Sequence, residues 1–276
     1  MSHFLRTMWN RARAEKIPLM EEMEWFGSSG EEEMYRLLCR HFDCVIRNAV
    51  VPHKSFYLEK DFLIIHKNVL LVIEVKNWKG EIGREKNGDF YQNKDNGEYK
   101  TLKSPVGTTQ LFIDKMRSFY KINTPIEGVV IFVEPNCTLK LPEEIDGIAL
   151  NTPKKAIEHI KKIARAKAQK ELAIDPSQIL HCTRFYSENS EFCKGLLADS
   201  FFDCETRSGA VVRIDTNSLI YMSVRKQLMK PKDKLFITYA NGASGVFYNR
   251  DTVFDVVCLD GSCKKIALNR VRHIVF

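Results

Sequence analysis

Asp61 and the triplet Glu74, Val75, Lys76 are the residues whose types and spacing point most directly to chemistry. The triplet ends a strongly apolar run, and charges at the rim of a buried strand must be paired, bind a metal or gather in a cleft. Mg²⁺ or Mn²⁺ suits two neighbouring acids. Such a hard cation takes one or two protein carboxylates and completes its shell with waters and substrate phosphate oxygens. A lysine ammonium beside it can orient or deprotonate the attacking water and offset charge in a phosphorane-like transition state. The alternative for the same residues is a structural ion pair between Lys76 and either acid.

Two strands must position these groups. Runs at 44–51, 57–65 and 68–76 have the apolar, β-branched character of buried strands, and only His66, Lys67 and Asn68 separate the last two. A two-residue turn at Lys67 and Asn68 pairs His66 with Val69, and counting back sets Asp61 opposite Glu74. Alternation then gives Glu74 and Lys76 one face and Val75 the other.

Around these strands the periodicity predicts helices. Met34, Leu37, Leu38 and Phe42 recur at helical spacing after a break at Gly27, Ser28, Ser29 and Gly30. Glu31, Glu32 and Glu33 fill the first turn, where carboxylates suit the helix dipole, and Glu31 sits nearest the buried stripe. After a polar, Gly-containing stretch at 80–100, Pro105 opens a second helix with Leu111, Met116 and Phe119 as expected core positions. A strand at 128–133 follows, and Thr152 and Pro153 cap a third helix with Ile157, Ile160 and Ile163 inward. Its other face carries Lys154, Lys155, Lys161, Lys162, Arg165 and Lys170, read as a solvated face.

The chain of 276 residues, 44% hydrophobic, is long enough for two domains. Its formal charge of +7 suits a polyanionic partner without demanding one. The eight cysteines contain no C-x-x-C pair, so reduced thiols are expected rather than a zinc site. Arg6 interrupts the apolar start and no run reaches spanning length, which predicts a cytoplasmic protein without signal peptide or membrane span. The expected organisation is an extension at 1–24, helical around Trp9 to Glu15, a catalytic-type domain at 25–170, a linker at 171–192 and a small β-rich domain at 193–276. Five short strands, with turn signals at Asn241-Gly242 and Asp260-Gly261, suggest that the last is barrel-like.

The chain resembles the NERD, or nuclease-related, domain family of the PD-(D/E)xK restriction-endonuclease-like superfamily. Gly27, Ser28, Ser29, Gly30 and Glu31 are similar to its opening glycine-glutamate motif, and Lys60-Asp61 to its acidic strand. Ile73, Glu74, Val75, Lys76 and Asn77 with Gly80 match its core signature, and Ser104-Pro105 followed by Gln110 its second-helix entry. No Pro precedes Asp61, as one often does in this superfamily; Lys60 stands there. The likeness runs over residues 25–165. It implies an α/β fold with a restriction-endonuclease-like mixed sheet flanked by helices. It further implies Mg²⁺ (or Mn²⁺) on Asp61, Glu74 and the Val75 carbonyl, with Lys76 assisting the water, Glu31 approaching from the first helix and Gln110 contacting the lysine or phosphate.

The resulting expectation is a metal-dependent nuclease hydrolysing phosphodiester bonds of nucleic acid, DNA ahead of RNA. The competing class is a nuclease-like module without turnover that binds nucleic acid or a protein. No Walker A sequence, dinucleotide-binding glycine pattern or H-E-x-x-H occurs, so no other cofactor is expected.

Overall fold

The computed structural model describes residues 29–170, 174–187, 190–227, 232–239, 243–249 and 252–276. The extension at 1–24, the helix around Trp9 to Glu15, the break at Gly27 and Ser28 and the Asn241-Gly242 turn lie outside the described residues.

The order is α1 (Ser29–Cys39), β1 (Cys44–His53), β2 (Phe56–His66), β3 (Val69–Lys76), β4 (Gly80–Arg84), β5 (Phe90–Asn93), β6 (Tyr99–Leu102), α2 (Pro105–Tyr120), β7 (Ile126–Phe132), β8 (Cys137–Leu139), β9 (Glu144–Ile145), β10 (Ile148–Asn151) and α3 (Pro153–Ala166). Strands β1-β2-β3-β7-β10-β9 form a six-stranded sheet. β3, β7 and β10 run parallel, while β1, β2 and β9 join antiparallel, so the sheet is mixed. One face packs Val106, Phe112, Ile113 and Met116 of α2 on Leu63, Val72 and Val130. The other packs Met34 and Leu38 of α1 and Ile157 and Ile160 of α3 on Phe62, Ile73 and Ile131. Both faces are covered by helices, which accounts for the unbroken apolar run of β3.

The β2–β3 hairpin has the expected turn, with Lys67 and Asn68 both left-handed (φ 51° and 59°) and His66 paired with Val69. Elsewhere the structure corrects the expectations. The polar stretch at 80–100, for which no element is expected, holds strands: β4, β5 and β6 form a four-stranded sheet with β8. Its hairpins turn at Asn87-Gly88 and Asn96-Gly97 and bury Ile82 and Phe90. In α2, Met116 is buried as expected, but Leu111 and Phe119 are exposed, and Val106, Thr109, Phe112 and Ile113 are buried instead. Ser104 caps α2 with its side chain, whereas Thr152 precedes α3 without a side-chain cap bond.

Beyond residue 180 the strands are β11 (Thr183–Ser187), β12 (Ser190–Leu197), β13 (Phe201–Glu205), β14 (Val211–Asp215), β15 (Leu219–Arg225), β16 (Asp233–Tyr239), β17 (Ser244–Asn249), β18 (Val253–Cys258), β19 (Cys263–Ala267) and β20 (His273–Val275). They make a ten-stranded antiparallel sheet in the order β14-β13-β17-β16-β15-β20-β11-β12-β18-β19. That is twice the expected five: residues 201–215 make the β13–β14 hairpin, residues 263–276 divide into β19 and β20, and β11, β12 and β17 are not among the expected strands. The described pairings leave β14 and β19 as the two ends, without barrel closure. The sheet buries its own core around Phe185, Met222, Leu235 and Ile274.

This sheet meets β1 and β2 directly. His181 bridges Ala49, the Cys182 N–H donates to the Asn48 carbonyl at 2.9 Å, and Tyr57 N–H donates to Leu259 at 2.7 Å. Among the described residues no helix is long and apolar enough to cross a membrane.

Candidate active site

The site forms where the β2–β3 ladder stops. Pairing runs from His66–Val69 to Phe62–Ile73, and the next count would bring Asp61 against Glu74. There, however, β2 changes phase. Leu63 and Ile65 face α2, but so do Leu58 and Lys60, so strict alternation fails between Lys60 and Leu63. On the other side β1 pairs Arg47 with Phe62 and Ala49 with Lys60, skipping Asn48, which is left-handed at φ 50°. Such irregularities re-aim side chains and end ladders beside functional sites.

The Asp61 carboxylate consequently takes over a strand's role: its Oδ2 accepts the Val75 N–H at 2.7 Å. Burial, then the nearby Glu74 and Glu31 carboxylates, raise its pKa to about 7, against the opposing pull of the Val75 N–H and Lys76.

Glu74 is held from two sides. Lys60 donates to its Oε2 at 2.7 Å and Lys76 donates to its Oε1. Lys60 is 4% exposed and Glu74 10%. Lys60 also donates to Thr108 Oγ1 of α2 at 3.1 Å, which ties the cluster to the second helix. Burial opposes the charge on Lys76, but Glu74, Asp61 and Glu31 together outweigh it, so the Lys76 pKa is raised. Lys76 is therefore an ammonium at neutral pH, fit to orient and stabilise negative charge rather than to accept a proton. Its Nζ lies 5.9 Å from the Trp78 ring centre.

Glu31 reaches the site because α1 starts against the end of β7. A Cβ at Gly30 would fall 2.4 Å from Val133 Cγ2, so a side chain here would force Val133 or the helix to shift. Glu31 accepts from Arg184 Nη1 of β11 at 3.3 Å.

Asp61, Glu74, Lys76 and Glu31 thus gather at one end of β3. Val75 turns its side chain to the opposite core and contributes its backbone. Gln110 is not brought to this cluster: its Nε2 donates to Asp114 along the surface of α2 at 3.0 Å, and Thr108 is the α2 residue bonded into the site. Lys60 was not among the expected site residues, although a lysine in a strand facing two covered layers is a signal of a buried partner.

Carboxylates crowded closely enough to raise the pKa of Asp61 suit a hard divalent cation. Against that, both Glu74 oxygens already serve lysines, and among the described residues no three His, Cys, Asp or Glu side chains converge into a preformed ion cage.

Comparison with known proteins gives the class of this region. Residues 26–133 match the NERD, nuclease-related domain, family. The matched segment holds Glu31, Lys60, Asp61, Glu74, Lys76 and Gln110. Helix α3 and the ten-stranded sheet lie beyond it. No curated protein and no solved structure matches the chain.

Proposed function

We propose that the chain is a metal-dependent nuclease hydrolysing phosphodiester bonds of nucleic acid, on a restriction-endonuclease-like core. The observation that carries this reading is the gathering of Asp61, Glu74, Glu31 and the charged Lys76 at the end of β3, inside the nuclease-related segment. Asp61, Glu74 and the Val75 carbonyl would hold Mg²⁺ or Mn²⁺, which would supply Lewis acidity at a phosphate oxygen and a more acidic water. Lys76 orients the attacking water and offsets charge developing on the phosphate. Lys60 holds Glu74 in place while Lys76 turns to substrate. DNA is the proposed substrate ahead of RNA, in the cytoplasm.

One observation favours a second reading. Glu74 satisfied by two lysines is the arrangement of a structural ion cluster, and a nuclease-like binding module would retain it for stability. Labelled single- and double-stranded DNA and RNA, each incubated with Mg²⁺, Mn²⁺ or EDTA, separate the two. Cleavage with either metal and none in EDTA is the expected result; binding without cleavage on every substrate selects the module.

A further inference from the structure

Arg184 links the ten-stranded sheet to the candidate centre. Arg184 of β11 is 14% exposed and lies between three acids from different elements. Its Nη1 donates to Glu31 of α1 and its Nη2 to Glu59 of β2, both at 3.3 Å, while its Nε lies 3.8 Å from Glu191 of β12. Glu59 is also paired with Lys194 of β12 and accepts from the Cys182 thiol at 3.3 Å. One planar fork therefore spans the first helix and the strand that carries Asp61. A guanidinium suits this task because its donors are fixed in one plane, so two carboxylates bound to it are fixed relative to each other.

We infer that Arg184 is a positioning residue for the candidate metal centre, holding Glu31 against β2 so that the C-terminal sheet completes the site. The inference rests on the proposed metal-dependent reading, and it extends that reading to a residue outside the nuclease-related segment. Glu31 stands at the first turn of α1, where the chain has only just entered regular structure, and Arg184 is the contact that fixes its carboxylate. Glu31 lies beside the named ligands rather than among them, near enough for its charge to act on Asp61 and Lys76, and losing a group that surrounds a metal's ligands typically weakens affinity by about 10- to 100-fold. The sheet is thereby more than an appended module: β11 and β12 supply the cations that meet the acids of α1 and β2.

The test is Mn²⁺ binding to the full chain, measured by calorimetry on a double-mutant cycle of Glu31→Gln and Arg184→Gln, with Asp61→Asn and Lys194→Met alongside. Arg184→Gln is expected to weaken Mn²⁺ binding about tenfold in the wild-type background and to have no further effect beside Glu31→Gln. Lys194→Met loosens the same junction without touching Glu31, so it should lower the melting temperature and leave the Mn²⁺ affinity unchanged. If Arg184→Gln does not fold, Arg184→Lys, which keeps the charge but not the fork, should also bind more weakly than wild type. Equal affinity in the Arg184 variant, or the same loss in both Glu31 backgrounds, overturns the positioning role while leaving the metal centre standing. Wild type that binds no Mn²⁺, like Asp61→Asn, overturns the metal centre and the inference together.

Discussion

The carboxylate of Asp61 accepts the backbone N–H of Val75 at 2.7 Å, one residue past the last β2–β3 pair. A side chain thus takes an amide that a continuing ladder would have given to a backbone carbonyl. The carboxylate is held next to the strand that presents Glu74 and Lys76, and the bond needs only an acceptor oxygen. Charge and position at Asp61 can therefore be separated by substitution.

Asp61→Asn keeps an acceptor for Val75 and removes a charge that Glu74 and Glu31 oppose. Because the folded pKa of Asp61 is raised to about 7, above the ordinary carboxylate range, its contribution to stability is full at low pH and is lost as pH rises through about 7. In EDTA, the wild type should lose stability relative to Asp61→Asn as pH is raised from 4 to 8, measured by urea unfolding across that window. Parallel pH curves for the two proteins would contradict a raised Asp61.

Glu74→Gln should behave in the opposite sense. It leaves Lys60 without its buried counter-charge and Lys76 with a weaker partner, so the apo protein should lose about 3–5 kcal/mol, the usual cost of breaking a buried pair. Urea midpoints in EDTA measure this, and a variant as stable as wild type would show that the lysines do not depend on Glu74.

Gly30→Ala tests how α1 is seated. The new methyl would meet Val133 at 2.4 Å and should cost about 1–3 kcal/mol, while shifting Glu31 from the site. Adding Val133→Ala should recover part of the loss. Thermal melts of the single and double variants read this out, and a Gly30→Ala protein with unchanged melting would place α1 farther from β7.

Much of the core and the heart of the site was legible in the sequence. The Lys67-Asn68 turn set the register, and the apolar run before Glu74 marked a strand covered on both faces. The phase change in β2 was not legible, because Lys60 and Asp61 read as ordinary alternation; the irregularity is visible only when Lys60 and Leu63 prove to share a face. The β4–β5–β6 hairpins had a signal that polar composition hid: Asn87-Gly88 and Asn96-Gly97 each sit between short runs holding Phe90 and Tyr99. Gln110 was carried over from a family pattern, and helix phase turned it along α2 towards Asp114. Arg184 was beyond reach, since nothing local in 180–190 reveals that it meets Glu31, which lies 153 residues earlier in the chain.

In the proposed reaction Lys76 acts on the reacting phosphate. Its raised pKa makes it a fixed positive charge, so its loss should slow the chemical step without weakening hold on the flanking backbone. The direct measurement is single-turnover cleavage of a labelled substrate by wild type and Lys76→Ala, both saturated with Mn²⁺ and both shown folded by circular dichroism. The expected result is a rate lower by about 10²- to 10³-fold, the usual scale for removing one transition-state charge contact, with substrate affinity unchanged. A folded Lys76→Ala protein that cleaves at the wild-type rate would exclude a role for Lys76 in the chemical step.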